Sequence, residues 1–178
     1  MEWTVLENAD AVASTARDRI VQASKRAIAA RGEFHIVLAG GNTPARTYEL
    51  LATTRCDWLH WHIWFGDERC LPRDHPDRNS LMAERTLFSK VDIPASQIHV
   101  MHAEFGPEDA AKQYAAQLDG VPPFDMVLLG MGADGHTASL FPGQLFSTGK
   151  TVLPIINAPK LPAQRVSLSA EIVGQCRQ

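Results

Sequence analysis

The sequence predicts an α/β domain built on a mostly parallel sheet flanked by helices. Two observations predict it. Short apolar runs of strand length, FHIVLA at 34–39, WHIWF at 61–65 and FDMVLL at 124–129, alternate with longer segments of helical period. Each run also ends in a glycine-containing polar loop, Gly40–Pro44, Gly66–Asn79 or Gly130–Phe141. In open parallel sheets ligands bind outside the carboxyl ends of the strands, so three such loops at three strand ends point to one composite site.

The elements follow in order. Asp10 to Ala30 reads as an amphipathic helix, with Val12, Ala16, Ile20, Ala23 and Ala27 at helical spacing and Gly32 as its stop. FHIVLA is bounded by glycines, and ARTYELLA continues as a helix with Thr43 as N-cap and Pro44 in its first position. WHIWF is aromatic-rich, as strands are, and Gly66–Asn79 reads as a proline-containing loop before a helix over 80–88. Ile98–Met101 is a short strand candidate, Pro107–Leu118 a helix, FDMVLL a buried strand, and 151–156 and 165–168 are further strands. No repeat, low-complexity tract or linker divides the 178 residues, so 1–178 is expected to form one domain.

Composition narrows the function classes. The chain is 45% hydrophobic and 21% charged with a formal net charge of −3, which gives no reason to expect nucleic acid or an anionic membrane as partner. MEWTVLENADAV has neither the basic start nor the apolar stretch of a signal peptide, and no run approaches a bilayer-spanning length. Cys56, Cys70 and Cys176 are widely spaced and lack C-x-x-C pairing, as expected of free thiols in a reducing cytoplasm.

In the first loop, two glycines after a buried strand expose successive backbone N–H groups, and the helix that follows aims its positive dipole end at whatever lies above. A phosphate suits that position, but the Walker ending G-K-[ST] is missing, and taken alone the loop is equally a tight strand-to-helix turn. Arg46 reads as a solvated helix residue. The third loop, GMGADGHTASLF, satisfies G-x-G-x-x-G yet fails the dinucleotide test: His136 and Thr137 follow Gly135 directly, and TVLPIINAPK carries no carboxylate for a ribose. Histidine is the side chain suited to general-base work near neutral pH, so His136 is the candidate base; Asp134 is close enough in sequence to orient it, and Gly130, Gly132 and Gly135 admit a substrate to the backbone. Outside any other context, D-G-H reads first as a plain turn with His136 a bystander. Ser139 lacks a nucleophile-elbow setting and reads as a packing or helix-start residue. In the middle loop, Arg69 suits a phosphate or carboxylate clamp and Asp67 the placing of a hydroxyl or water, unless GDER is only a surface ion-pair cluster. Arg73, His75, Asp77 and Arg78 read as solvated. His60 and His62 share a strand face, but a metal needs a third ligand that is not nearby, so no metal is expected. His35, His99 and His102 receive no role.

Together, AGGNTP, WFGDERCLPRDHPDRNS and FDMVLLGMGADGHTASLFPG resemble the three signature segments of the 6-phosphogluconolactonase family, in the expected order and spacing, and APKLPAQRVSL at 158–168 resembles its later basic segment. The resemblance implies hydrolysis of 6-phosphoglucono-1,5-lactone to 6-phosphogluconate in the oxidative pentose phosphate pathway, by a carboxylic ester hydrolase without a cofactor, and a modified Rossmann-like sheet shared with glucosamine-6-phosphate deaminases. By matching positions, Gly40, Gly41, Asn42 and Thr43 hold the phosphate with Arg165, and His136 activates water. Asp67, Arg69 and Asp134 line the substrate, and Lys160 adds a basic group. The family pattern continues past Arg165 with a further strand, a G-x-x-K region and a last helix. This sequence closes on GQCRQ, so the expectation is a shortened domain lacking a phosphate-binding lysine. The related deaminase branch carries a glutamate shortly after the D-G-H histidine, where this chain has TASLFPG. A non-catalytic sugar-phosphate module would keep GGNTP and Arg165 but would have no need of Asp134 and His136.

Overall fold

A computed structural model describes residues 3–177. Helix α1 spans Ala9–Arg31, close to the range read from periodicity, because both ends are capped: Asn8 Oδ1 accepts from Ala11 N at 2.9 Å, and Gly32 turns left-handed at φ 84°. Three strands follow from the three apolar runs. β1 (Phe34–Leu38) pairs in parallel with β2 (Trp61–Phe65) on one side and with β4 (Met126–Val127) on the other. Period-two alternation decides which helices cover which face. Phe34, Ile36, Leu38, Trp61, Ile63 and Phe65 face α1, α2 (Asn42–Ala52) and α3 (Asn79–Thr86), where they meet Ile20, Tyr48, Leu51 and Ala83. Val37 and Trp64 face the other way, toward Ala110 and Tyr114 of α4 (Pro107–Gln117). Burying each large apolar side chain of this kind contributes about 1.5–3 kcal/mol.

The second half of the molecule departs from the expected plan. β3 (Asp67–Arg69), β6 (Arg165–Leu168) and β5 (Val152–Ile155) form a separate antiparallel sheet in the order β3-β6-β5, with Asp67 opposite Ser167 and Arg69 opposite Arg165. Part of the expected middle loop is therefore strand. A polar three-residue segment has no legible alternation, and its pairing partner lies far downstream. Other boundaries move for local reasons. The N-cap of α2 is Gly41, not Thr43: at φ 108° the chain turns early, and the helix opens at Asn42 without a side-chain cap. Ile98–Met101 contributes a single bridge, Ile98 to Ile63, and FDMVLL only two paired residues. Arg78, expected in solvent, is 3% exposed. A short helix α5 (Ala170–Gly174), capped by Ser169, was not anticipated. Among the described residues no helix is long and apolar enough to cross a membrane.

Candidate active site

All three rim loops leave the carboxyl ends of the parallel strands: 40–44 follows β1, 66–79 follows β2 and 130–141 follows β4. They meet the antiparallel sheet around a cleft of about 230 Å³, lined by Gly40, Gly41, Asp67, Arg69, His136 and Arg165 among others. A larger groove of about 620 Å³ between α1 and β4 offers apolar side chains and arginines but neither a histidine nor a carboxylate, whereas the smaller cleft gathers both.

The 130–141 loop is a compact turn, not a helix start. Gly132 N donates to His136 O at 2.8 Å, Gly135 N donates to Gly132 O at 2.9 Å, and Thr137 Oγ1 donates to Gly130 O at 2.9 Å. Within this turn His136 Nδ1 lies 2.5 Å from Asp134 Oδ1. A carboxylate there accepts Nδ1–H, which leaves the Nε2 lone pair available. The imidazole also stacks on Phe141, centroids 4.7 Å apart at 26°, and Arg165 lies over the same Phe141 ring at 5.7 Å. The His136 contact, with help from Lys160, holds the Asp134 carboxyl far below the usual carboxylate range, so it stays ionised. Gly132 is needed for closeness: a Cβ there would lie 2.5 Å from Asp134 Oδ1 and nearer still to the imidazole.

Asp67 is buried, and both of its oxygens are committed. Ser139 Oγ donates to Oδ2 at 2.6 Å, and Asn79 Nδ2 donates to Oδ1 at 3.0 Å and to the Asp67 carbonyl at 2.9 Å. Burial pushes its carboxyl up, against the Ser139 hydrogen bond and the nearby Arg69 and Arg165. Asn79 in turn needs Gly40, because a Cβ there would stand 2.7 Å from Asn79 Cγ and nearer still to its Oδ1. Arg69 donates Nη1 to the Asp77 carbonyl, and its Nε is buried without a partner. Arg165, 5% exposed, faces Arg69 and Asp67; desolvation and the Arg69 charge lower its affinity for its proton. Two guanidiniums around one ionisable carboxyl leave an excess of positive charge suited to an anion.

The remaining expected residues divide. Asn42 and Thr43 are exposed on the first turn of α2 and are not among the cleft's lining residues; only the N–H groups that a helix start leaves unpaired are theirs to offer. Lys160 is half-exposed and reaches Asp134, not the cleft wall. Arg46 pairs with Asp10 and Glu49 on the surface, as expected. The sequence reading missed Asn79, Ser139 and Phe141 as supports of the site. Asn79 and Ser139 were reachable only through their fixed place inside the G-D-E-R…N and D-G-H-T-A-S segments, since neither carries a chemical signal of its own. Glu68 neighbours Asp67 in the sequence, yet it turns away from the cleft. Its carboxylate accepts from Asn79 N (2.8 Å), Ser80 N (2.9 Å) and Ser80 Oγ (2.7 Å), which caps α3.

Elsewhere His60 pairs with Asp57 at 3.0 Å, while His62 stacks on His35 at 4.5 Å and 4°. Glu33, His35 and His62 offer ligand atoms within 4.8 Å of one another. Both Nε2 atoms face the Glu33 carboxylate, at 3.1 Å from His35 and 3.7 Å from His62. Trp64 Nε1 also donates to His35 Nδ1 at 3.2 Å, which puts the remaining proton on Nε2. That cluster does not fit a metal.

Comparison with known proteins agrees with the layout. The family model described as glucosamine-6-phosphate isomerases/6-phosphogluconolactonase matches residues 7–178. The 6-phosphogluconolactonase of a Synechocystis species is 39% identical over 162 residues, covering 85% of this chain and 67% of that protein. That of a Nostoc species is 40% identical over 147 residues, covering 78% of this chain and 61% of that protein. The crystal structure of the Thermotoga maritima 6-phosphogluconolactonase superposes with a TM-score of 0.89 at 27% identity, over 97% of this chain and 79% of that one. The chain thus spans about two thirds of the length of the two sequence relatives.

Proposed function

We propose a lactonase function from one premise: this chain belongs to the glucosamine-6-phosphate isomerase/6-phosphogluconolactonase family. The reaction is hydrolysis of 6-phosphoglucono-1,5-lactone to 6-phosphogluconate, a step of the oxidative pentose phosphate pathway. The observation that carries it is the Asp134–His136 pair, 2.5 Å apart, with the imidazole opening onto a cleft shared with Gly40, Arg69 and Arg165.

A δ-lactone is an activated ester, so an oriented base, a water and an oxyanion site suffice. His136 Nε2 takes a proton from water, and the water oxygen forms a bond to the lactone carbonyl carbon while the carbonyl π pair moves onto its oxygen. The tetrahedral oxyanion collapses, the bond to the ring oxygen breaks, and the imidazolium returns its proton to that oxygen, which becomes the sugar hydroxyl. Asp134 orients the imidazole and stabilises its charged form between the two proton transfers. The phosphate is held by the Gly40–Gly41 backbone and the opening turn of α2, including the N–H groups of Asn42 and Thr43, with Arg165. Arg69 carries charge toward the sugar acid. Asp67, whose oxygens are already bonded, fixes the cleft wall and does not serve as the base. General-base assistance is worth on the order of a hundred- to ten-thousand-fold, and held substrate geometry supplies much of the remainder. The Cys56 and Cys70 thiols, free of disulfides, support a cytoplasmic setting.

Spectroscopic assay of lactone disappearance tests the reading. His136→Ala should reduce kcat by about a hundredfold or more; equal rates for the variant and the wild type would remove His136 as the base. Release of ammonia from glucosamine 6-phosphate would instead assign the chain to the deaminase branch.

A further inference from the structure

The segment joining β5 to β6 is tied down from inside. Arg165 donates Nε to the Pro162 carbonyl at 3.0 Å and Nη2 to the Lys160 and Leu161 carbonyls at 3.2 Å each. Ala158 N closes the same loop on Ala163 O at 2.9 Å. A buried guanidinium thus fixes the backbone from which the Lys160 side chain leaves. That side chain extends to Asp134, where Nζ lies 3.1 Å from Oδ1. It is the same oxygen that meets His136 Nδ1.

One carboxylate oxygen therefore serves an ammonium and an imidazole together. We propose that Lys160 is a positioning residue that acts on the proton affinity of His136 through the shared Asp134 oxygen. An unshared Asp134 would favour the imidazolium more than one whose oxygen also meets an ammonium. The ammonium draws on the same oxygen and repels a charged ring a few ångströms away. The cationic neighbours of His136 act in the same sense. Phe141, stacked on it, is apolar and carries Arg165 over its ring, and Arg69 shares the cleft. Asp67, the opposing charge across the cleft, is bonded by Ser139 and Asn79 and lies beside both arginines. The catalytic consequence rests on the lactonase reading; the coupling of Lys160 to His136 does not.

The test separates this role from direct contact between Lys160 and the substrate phosphate. The His136 ring proton is titrated by NMR in the substrate-free protein, assigned with His136→Gln, for wild type, Lys160→Met and Lys160→Arg. Removing one unit charge at this distance in a partly exposed setting should raise the His136 midpoint by roughly half to one pH unit in Lys160→Met. Lys160→Arg should stay near wild type. The acidic limb of kcat/KM for lactone hydrolysis should move with the midpoint. Below the limb that is about a threefold to tenfold loss, and the high-pH plateau is kept. An unmoved midpoint in Lys160→Met overturns the proposal. So does a raised KM at every pH with the limb in place, which would make Lys160 a substrate contact. If wild type hydrolyses no lactone, the functional reading fails, and the NMR midpoints alone still decide whether Lys160 governs His136.

Discussion

Gly132→Ala isolates the geometry of the proposed base from its chemistry. The added methyl would sit 2.5 Å from Asp134 Oδ1 and nearer still to the ring atoms Cε1 and Nδ1 of His136, where ordinary contact begins at about 3.4 Å. Gly132 and Asp134 are held by a short turn, so the imidazole must withdraw by roughly 1 Å, and the 2.5 Å Asp134–His136 contact cannot survive. A displacement of that size at a reacting group lowers rate by about a hundredfold. The loop surface around Gly132 is largely exposed, and no left-handed backbone is needed there, so stability should change by only about 0.5 kcal/mol. The assay is steady-state lactone hydrolysis across pH with a thermal melt of the same samples. A melting temperature within about 2 °C of wild type together with a hundredfold fall in kcat is the expected pair. Full activity with the same melt would refute the claim that the Asp134–His136 contact drives turnover.

Two further predictions concern parts of the fold away from the reaction. Arg78 is buried against Glu68 (3.3 Å) and Glu104 (2.8 Å) and donates to the Met101 carbonyl at 2.7 Å; Arg78→Met should cost about 3 kcal/mol, lowering the melting temperature by roughly 6–12 °C, while kcat per folded molecule holds. The His99 imidazole, stacked on Trp64, is pushed down to about 4 by burial and by the neighbouring His62 and His35. The unfolded chain therefore binds the proton more readily than the folded one, and stability contributed by His99 falls as pH drops from about 6.5 toward 4. Discounted for partial exposure, the loss is on the order of 1 kcal/mol, and His99→Leu should flatten that part of a denaturant-midpoint profile against pH.

The three strand-end loops were legible because hydrophobic runs and glycine punctuation are local signals, and the parallel sheet turned each into a neighbour of the others. Asp134 and His136 were legible for the same reason: two residues apart, they needed only a turn to meet. What was not legible depends on distant partners. Asp67–Arg69 became a strand only because Arg165–Leu168 lies alongside it. Arg78 looked like any loop arginine until Glu68, Glu104 and the Met101 carbonyl closed around it. The Thr43 cap was displaced by one steric fact, the left-side φ of Gly41, which glycine tolerates and which let the helix start sooner.

Consecutive letters of β3 serve different masters, because a strand turns successive side chains to opposite sides. Asp67 and Arg69 look into the cleft, while Glu68 between them anchors the opening of α3 and the Arg78 staple. An alanine scan scored only by activity in crude extract would rank all three alike. Scored by soluble yield and by turnover separately, the middle acid would stand out as an architectural member, and its neighbours as the ones that shape the cleft.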